Sequence, residues 1–112
     1  MPRNISFAKT TGQFMARTKT VTRRQGWAGL QPGTLLMACR KCRGLKPGEA
    51  LERLGLIRVV SVRREPLQAI TAEDVEREGY PGMGPEEFVD LFCAQMKCER
   101  HAMVTRIEFE YL

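Results

Sequence analysis

The sequence contains no long hydrophobic run, and its longest apolar stretch covers only residues 35–39. A helix that spans a bilayer needs about 20 apolar residues, so no transmembrane segment is predicted. Residues 1–13 mix charges with hydroxyl groups and lack the basic-then-apolar pattern of a secretion signal. We therefore expect a cytoplasmic protein with no membrane partner.

The first half of the sequence is also poor in acidic residues. Residues 1–64 contain 14 lysines and arginines against two glutamates, whereas residues 65–112 contain four basic and 11 acidic residues. The basic half predicts a surface for a polyanion, whose attraction would come largely from counterion release. The alternative is that the two halves neutralise each other across one fold, which would need no ligand.

One domain accounts for the whole chain. Of the 112 residues, 43% are apolar and 28% are charged, which is an ordinary balance for a globular protein with one modest core. Because no internal repeat, low-complexity tract or long linker interrupts the sequence, the predicted domain covers residues 1–112.

Hydrophobic periodicity predicts about five strands and two to three helices. Short strands are predicted at Ile5 and Phe7 and at 19–24, a strand buried on both faces at 34–40, and further strands at 54–64 and 103–112. The last of these alternates as a half-buried antiparallel strand does. Helices are predicted at 9–17, after the N-cap Thr71, and at 85–97. This order suits a small, curved α+β fold that resembles a barrel.

The segment 19–24 carries the first set of side chains suited to chemistry. In an extended strand residues two apart share a face, which separates Lys19 from Thr22 and Arg24 unless the backbone is distorted near the preceding helix. A lysine, a hydroxyl and an arginine together can hold a phosphate or a polar base edge. A buried Lys19 that lost its proton could instead activate a threonine hydroxyl. The alternative is a solvated basic strand.

This segment is one of several motifs whose order resembles that of a known family. The others lie at 31–36, 70–75, 78–81, 87–88 and 106–109. Together they resemble the ASCH domain, a small β-barrel related to the PUA fold and associated with RNA and nucleotide-related functions. In the family signature Gly-x-Lys-x-x-Glu-x-Arg, Lys19 and Arg24 match, while Arg17 replaces the Gly and Thr22 replaces the Glu. The resemblance covers residues 5–111 and implies a single PUA-like domain.

One branch of the ASCH family matches the signature more closely. Its members are small amidohydrolases that remove the acyl group from N4-acetylcytidine, and they carry a Lys-x-x-Thr-x-Arg pattern matched by Lys19, Thr22 and Arg24. The resemblance implies that Thr22 is the nucleophile and that Lys19 is the base that accepts its proton. It also implies a glutamate of the late helix as proton donor, for which Glu87 is the closest match and Glu86 is its neighbour.

Plain binding is the alternative to catalysis. The predicted contacts are then of two kinds, cations on phosphate or nucleic-acid backbone and aromatic rings on a base. The cations are Lys19, Arg23, Arg24, Lys41 and Arg43, and the aromatic residues are Trp27 and Tyr80. Arg23, Arg17 and a longer insertion at 41–52 are also the points at which the chain departs from the hydrolase branch. A solvated loop and partly buried aromatic rings are the structural alternatives.

The cysteines and the single histidine form a second constellation. Cys39-x-x-Cys42 and Cys93-x4-Cys98, followed by His101, could hold zinc if the loop after the third strand met the late helix. However, Cys39 lies in an apolar strand and Cys93 follows a phenylalanine, positions where cysteine serves as a small hydrophobic residue. We therefore expect free thiols, with no metal and no cofactor.

The leading hypothesis is an ASCH domain that binds RNA or a modified nucleoside in a cleft lined by Lys19, Thr22, Arg24 and Glu87. The second is an amidohydrolase that acts on N4-acylated cytidine, and the third is a non-catalytic protein-interaction or regulatory module. DNA stays open as a partner, and the sequence predicts no oligomeric state.

Overall fold

The computed structural model describes residues 2–112 of the chain. A curled five-stranded sheet, three α-helices and a short 3-10 turn make up the fold, in agreement with the predicted α+β class. Their bounds are β1 Arg3–Ser6, α1 Thr11–Met15, β2 Val21–Arg24, β3 Leu35–Cys39, β4 Arg53–Pro66, the 3-10 turn Leu67–Ala69, α2 Ala72–Arg77, α3 Pro85–Met96 and β5 Met103–Tyr111. None of the helices in these residues is long and apolar enough to cross a bilayer.

The strands follow the order β1-β3-β4-β5-β2 across the sheet. The β1–β3 pair is parallel, and the other neighbouring pairs are antiparallel. At 14 residues β4 is the longest strand, and it pairs with both β3 and β5. Its register against β5 shifts between Val59 and Ser61, where one extra residue forms a bulge. A bulge bends a strand and increases its twist, which helps this sheet to curl into half a barrel.

Two apolar clusters stabilise the fold. The first packs Phe14 of α1 against residues of β1, β3, β4 and β5, such as Ile107. The second joins the 3-10 turn, α2 and α3 to Val104 of β5. Because residues 104 and 107 point to opposite faces of a strand, the two clusters lie on opposite faces of β5.

β5 is therefore buried on both faces over residues 104–107, which corrects the prediction of a half-buried strand. Alternation predicted Met103 on the core face and Arg106 on the solvent face. Instead Met103 is 49% exposed and Arg106 is buried. The helices α2 and α3 cover the second face of the strand, and Arg106 is tolerated there because it pairs with Asp74 of α2.

The opposite correction applies to β3, which was predicted to be buried on both faces. Leu35 is 39% exposed and Met37 is only half-buried. The first apolar cluster takes only Leu36 and Ala38 from this strand, and the second cluster takes none of its residues. A continuous apolar run thus overstated the burial of a strand that has one well-covered face.

The predicted start of α2 agrees with the structure. The Thr71 hydroxyl accepts a hydrogen bond from the Asp74 N–H at 3.2 Å, and this satisfies one of the free donors in the first turn. The same turn then holds Asp74 where it faces the sheet, so the cap also contributes to the site described below.

Thr71→Ala removes this acceptor and leaves an N–H of the first turn unpaired. We expect the free energy of unfolding to fall by about 1 kcal/mol. Thr71→Ser keeps the hydroxyl and is the matched control. Urea denaturation measures the difference, and an alanine variant as stable as the wild-type protein would contradict the contribution of the cap.

Candidate functional site

A cavity of about 240 Å³ lies between β2, the segment after β1 and the helix α3. Its floor is polar and its wall is largely apolar. The floor contains Lys19, Thr22, Arg24 and Glu78, and the wall contains Phe7, Tyr80, Phe88, Leu91, Phe92 and Met96. A concave apolar wall that faces a few convergent polar groups is the usual form of a small-molecule site.

Lys19 and Thr22 both line this cavity, although strict alternation would place them on opposite faces. β2 begins only at Val21, so Lys19 lies before the regular strand. There the Thr20 N–H donates to the Arg77 carbonyl at 2.8 Å, and the Tyr111 hydroxyl donates to the Lys19 carbonyl at 2.5 Å. These contacts fix the backbone of the segment before β2 in a conformation that directs the Lys19 side chain toward the cavity.

Glu78 is the acidic partner of Lys19. The Lys19 ammonium donates to Glu78 Oε1 at 2.7 Å and to the Glu78 carbonyl at 2.9 Å. Both residues are almost completely buried, at 2% and 3% exposure. Burial lowers the pKa of Lys19, while the negative charge of Glu78 acts against that change. The pair therefore places a lysine with reduced proton affinity beside a carboxylate.

The turn after α2 accounts for the position of Glu78. Gly79 has a φ of +102°, and a Cβ at that position would lie 2.7 Å from Cγ of Gln13. Only glycine fits a turn that is both left-handed and so close to α1. Because this turn ends α2 so tightly, the Glu78 side chain reaches the floor of the cavity.

The structure does not bring Glu87, the glutamate expected in the cleft, to the cavity. Glu87 is exposed in the first turn of α3, and its carboxylate accepts from the Gly84 N–H at 3.2 Å. Its neighbour Glu86 pairs with Arg100. Sequence reasoning missed Glu78, although the segment 78–81 was among the ASCH-like motifs. An acid directly before a glycine turn was the signal that could have identified it.

Arg24 is the second polar anchor of the floor. Its Nε donates to the Thr22 hydroxyl at 3.0 Å, and its Nη2 donates to the Ser6 carbonyl at 2.7 Å. Burial lowers the pKa of Arg24 to about 10. In residues 2–112 no carboxylate lies within 4.0 Å of its guanidinium. Arg24 thus forms no ion pair in the described chain, although the negative charge of Glu78 acts on it from a greater distance.

Arg23, expected to contact the ligand, is instead enclosed by carboxylates. Its Nη1 donates to Glu78 at 3.1 Å, and its Nη2 donates to Asp74 at 2.6 Å and to Glu65 at 2.9 Å. The Arg23 side chain borders the cavity but exposes none of its surface. Hydrogen bonds from Arg106 and then Arg23 hold the pKa of Asp74 well below its usual range.

The remaining residues predicted to bind a ligand lie in several places. Tyr80 lines the cavity, with its ring packed edge-on against Phe88. Trp27 lies in a separate hollow, where the Arg3 guanidinium stacks on its ring at 3.9 Å. Lys41 and Arg43 are exposed in the loop between β3 and β4, so neither belongs to the cavity lining.

The four cysteines are free thiols. In residues 2–112 no three side chains of His, Cys, Asp or Glu come together in a way that could hold a metal ion. Burial raises the pKa of Cys39 to about 11, and burial also raises the pKa of Cys98. Raised pKa values keep both thiols protonated and make them poor nucleophiles.

The charge asymmetry of the sequence is partly neutralised inside the fold. Lys19, Arg23 and Arg58 of the basic half each pair with acids of the second half. The buried floor therefore carries far less net charge than the sequence of β2 suggests. Several exposed cations remain outside these pairs, and Arg24 stays without an ion-pair partner at the floor in the described residues.

Comparison of the sequence with protein-family models and with curated proteins found no match. The fold is similar to that of two solved structures. Protein EF3133 from Enterococcus faecalis V583, described with the family DUF984, is 16% identical, with a TM-score of 0.65 over all of this chain and 80% of that chain. Hypothetical protein PH0355 is 16% identical, with a TM-score of 0.68 over the full length of both chains. At such identity the similarity shows the fold alone.

Asp74→Asn removes the carboxylate that Arg23 and Arg106 share. We expect the free energy of unfolding at about pH 7 to fall by about 3 kcal/mol, because the buried Arg106 loses its carboxylate partner and Arg23 loses one of its three. Since the folded state lowers the Asp74 pKa, this stabilisation is present above the ordinary value of 3.8 and is lost as the pH falls below it.

The difference in stability between wild-type and Asp74→Asn should therefore shrink in acid. Denaturant unfolding at about pH 7 and about pH 3 measures it. Asp90→Asn, which breaks an exposed pair with Arg100, is the matched control and should change stability little. A difference between wild-type and Asp74→Asn that stays constant with pH would show that the Asp74 charge does not stabilise the fold.

Proposed function

We propose that this chain is an ASCH-type, PUA-like domain whose cavity binds an N4-acylated cytidine, or a closely related nucleoside, and hydrolyses its amide bond. The observation that carries the proposal is the meeting of Lys19, Glu78 and Thr22 at one buried floor. Amide hydrolysis through a hydroxyl requires a nucleophile, a base and an acid within reach of one bond. The resemblance to the hydrolase branch supports the same assignment, with Glu78 in the role expected of Glu87.

Transfer of a single proton within the Lys19–Glu78 pair provides both the base and the acid. Transfer of that proton along the 2.7 Å hydrogen bond converts the ion pair into a neutral amine and a neutral carboxyl group. The net charge of the cavity does not change, and a ligand that displaces water favours the neutral form. The amine can then accept the Thr22 proton, and the carboxyl group can protonate the departing amine.

The reaction proceeds in two stages. The Thr22 oxygen attacks the carbonyl carbon, the carbon–nitrogen bond breaks, and cytidine leaves with the proton from Glu78. Water then hydrolyses the acyl–Thr22 ester, which releases the carboxylic acid and restores the hydroxyl. Arg24 donates to the Thr22 oxygen at 3.0 Å, and its positive charge stabilises the negative charge that develops on the carbonyl oxygen.

The size and lining of the cavity favour one nucleoside over a nucleic-acid backbone. At about 240 Å³ it lies just below the common range of about 300–1,000 Å³ for small-molecule sites, so it suits one base with a small substituent. Tyr80 and the apolar side of α3 offer surface to a flat base. Of the four cations in the cavity lining, Lys19 and Arg23 are already paired with acids, which leaves two for phosphate groups at the cavity itself.

Incubation with N4-acetylcytidine should release cytidine, which chromatography measures. Thr22→Ala and Lys19→Ala should each lower kcat/KM by about 100-fold or more, because the nucleophile or its base is lost. Glu78→Gln and Glu87→Gln form a matched pair, in which the first should lose activity and the second should keep it. A wild-type protein that releases no cytidine, or a fully active Thr22→Ala variant, would contradict the proposal.

Binding of RNA without chemistry is the second candidate, and the unpaired cations favour it. Of the 14 basic residues in positions 1–64, eight have no carboxylate within 4.0 Å in the described part of the chain. They include Arg24 at the floor, Lys9 at the cavity lining and Arg43 in the β3–β4 loop. Such cations can neutralise phosphates around a base held in the cavity.

A salt series with a short single-stranded RNA tests this candidate. The logarithm of the affinity should fall linearly with the logarithm of the salt concentration, and Arg43→Gln should reduce the slope by about 1. Arg58→Gln is the control, because Arg58 already pairs with Glu110 at 3.0 Å. No binding at low salt would reject this candidate and favour the protein-interaction alternative.

A further inference from the structure

We infer that Arg23 is a positioning residue of the reaction, which holds the Glu78 carboxylate against Lys19 and sets how strongly the Lys19–Glu78 pair retains its proton. The inference rests on the proposed hydrolysis and gives a role to a residue that does not touch the substrate in that mechanism. It also replaces the sequence-based expectation that Arg23 binds phosphate.

Each oxygen of the Glu78 carboxylate has its own cation. Oε1 accepts from Lys19 at 2.7 Å, and Oε2 accepts from Arg23 Nη1 at 3.1 Å. A carboxylate held at both oxygens cannot rotate away from the lysine. Without Arg23, Oε2 would lose its donor, and the group that receives and returns the Lys19 proton would lose its fixed orientation.

Arg23 is itself held by two further acids. Its Nη2 lies 2.6 Å from Asp74 Oδ2 and 2.9 Å from Glu65 Oε2, and Arg106 binds the same Asp74 through two hydrogen bonds. The guanidinium is thus fixed from α2 and β4 at the same time. Its Nε is buried without a partner in the described chain, which is a cost that an apolar side chain would avoid.

The charge of Arg23 acts on the pair in addition to its hydrogen bond. Three buried cations, Lys19, Arg23 and Arg106, pair with the carboxylates of Glu65, Asp74 and Glu78, and the exposed Arg63 approaches Glu65 and Asp74. Loss of the Arg23 charge would make this buried region more negative. A more negative environment favours proton binding at both members of the pair.

Four titratable or charged groups act on Glu78. They are Lys19 before β2, Arg23 and Arg24 in β2, and Tyr80 in the turn after α2. Lys9 lies in the same cavity lining and is exposed. The α3 side chains in the lining carry no charge. Only Lys19 and Arg23 donate hydrogen bonds to the carboxylate in residues 2–112. Arg23 is therefore the residue whose change should act most directly on the pair.

The pH profile of kcat/KM distinguishes positioning from a structural role. The proposed mechanism requires one proton on the Lys19–Glu78 pair, so activity falls on the acid limb, where the pair gains a second proton, and on the basic limb, where it loses the first. Arg23→Met should move both limbs to higher pH by about 1 on the pH scale. Arg23→Lys keeps the charge but cannot bridge three acids, so it should lower kcat by about tenfold and leave KM unchanged. Because the charge is kept, the two limbs should shift less than in Arg23→Met.

Arg63→Met is the matched control for these variants. Arg63 pairs with Glu65 at 2.6 Å and approaches Asp74, as Arg23 does, but its side chain is 59% exposed and makes no hydrogen bond to Glu78. Its removal should leave both limbs of the profile in place. Limbs that stay in place in Arg23→Met, or that move equally in Arg63→Met, would overturn the inference.

A second readout does not depend on turnover. The NMR signal of the Lys19 ammonium should titrate at higher pH in Arg23→Met than in the wild-type protein, and Arg63→Met should leave it unchanged. If the wild-type protein releases no cytidine, the proposed hydrolysis fails while this titration still decides the role of Arg23. If Arg23→Met does not fold, Arg23→Lys is compared in its place. A lower kcat in Arg23→Lys, with no shift of either limb of the pH profile and no change in the Lys19 titration, would then overturn the inference.

Discussion

The structure depends on a buried chain of ion pairs that runs from Lys19 through Glu78, Arg23 and Asp74 to Arg106. The chain joins β2 and the segment before it to α2 and β5. A buried ion pair adds little stability by itself, because desolvation offsets the attraction between the charges. Once the other members are in place, however, the loss of one leaves a buried charge without a partner. The chain therefore fixes the cavity floor as a unit.

Local signals in the sequence predicted much of the fold. The hydroxyl of Thr71 before α2, Pro85 at the start of α3 and the β-branched residues of β2 act over a few positions, so their effects are visible without a structure. The burial of β5 was not predictable in this way, because two helices outside the strand itself pack against its second face. Alternation of apolar and polar residues indicates a strand with one buried face, whereas both faces of β5 are buried over residues 104–107.

The site was predictable in part for the same physical reason. Lys19, Thr22 and Arg24 share a short segment, and the structure brings all three to one cavity. Glu78 lies 59 positions from Lys19, so only the turn at Gly79 determines that it reaches the floor. Arg23 was indistinguishable in sequence from its neighbour Arg24. The Arg23 guanidinium is enclosed by three carboxylates, whereas no carboxylate in residues 2–112 lies within 4.0 Å of the Arg24 guanidinium.

The position of β2 in the sheet has a consequence for the order of unfolding. β2 is four residues long, lies at an edge of the sheet and pairs with β5 alone. The side chain of Arg23 also ties β2 to the fold through buried ion pairs. Acid neutralises the carboxylates of these pairs but leaves the β3–β4–β5 ladder of backbone hydrogen bonds intact. In acid we therefore expect the cavity floor to detach first, so that the protein loses its cavity while most of its sheet is still folded.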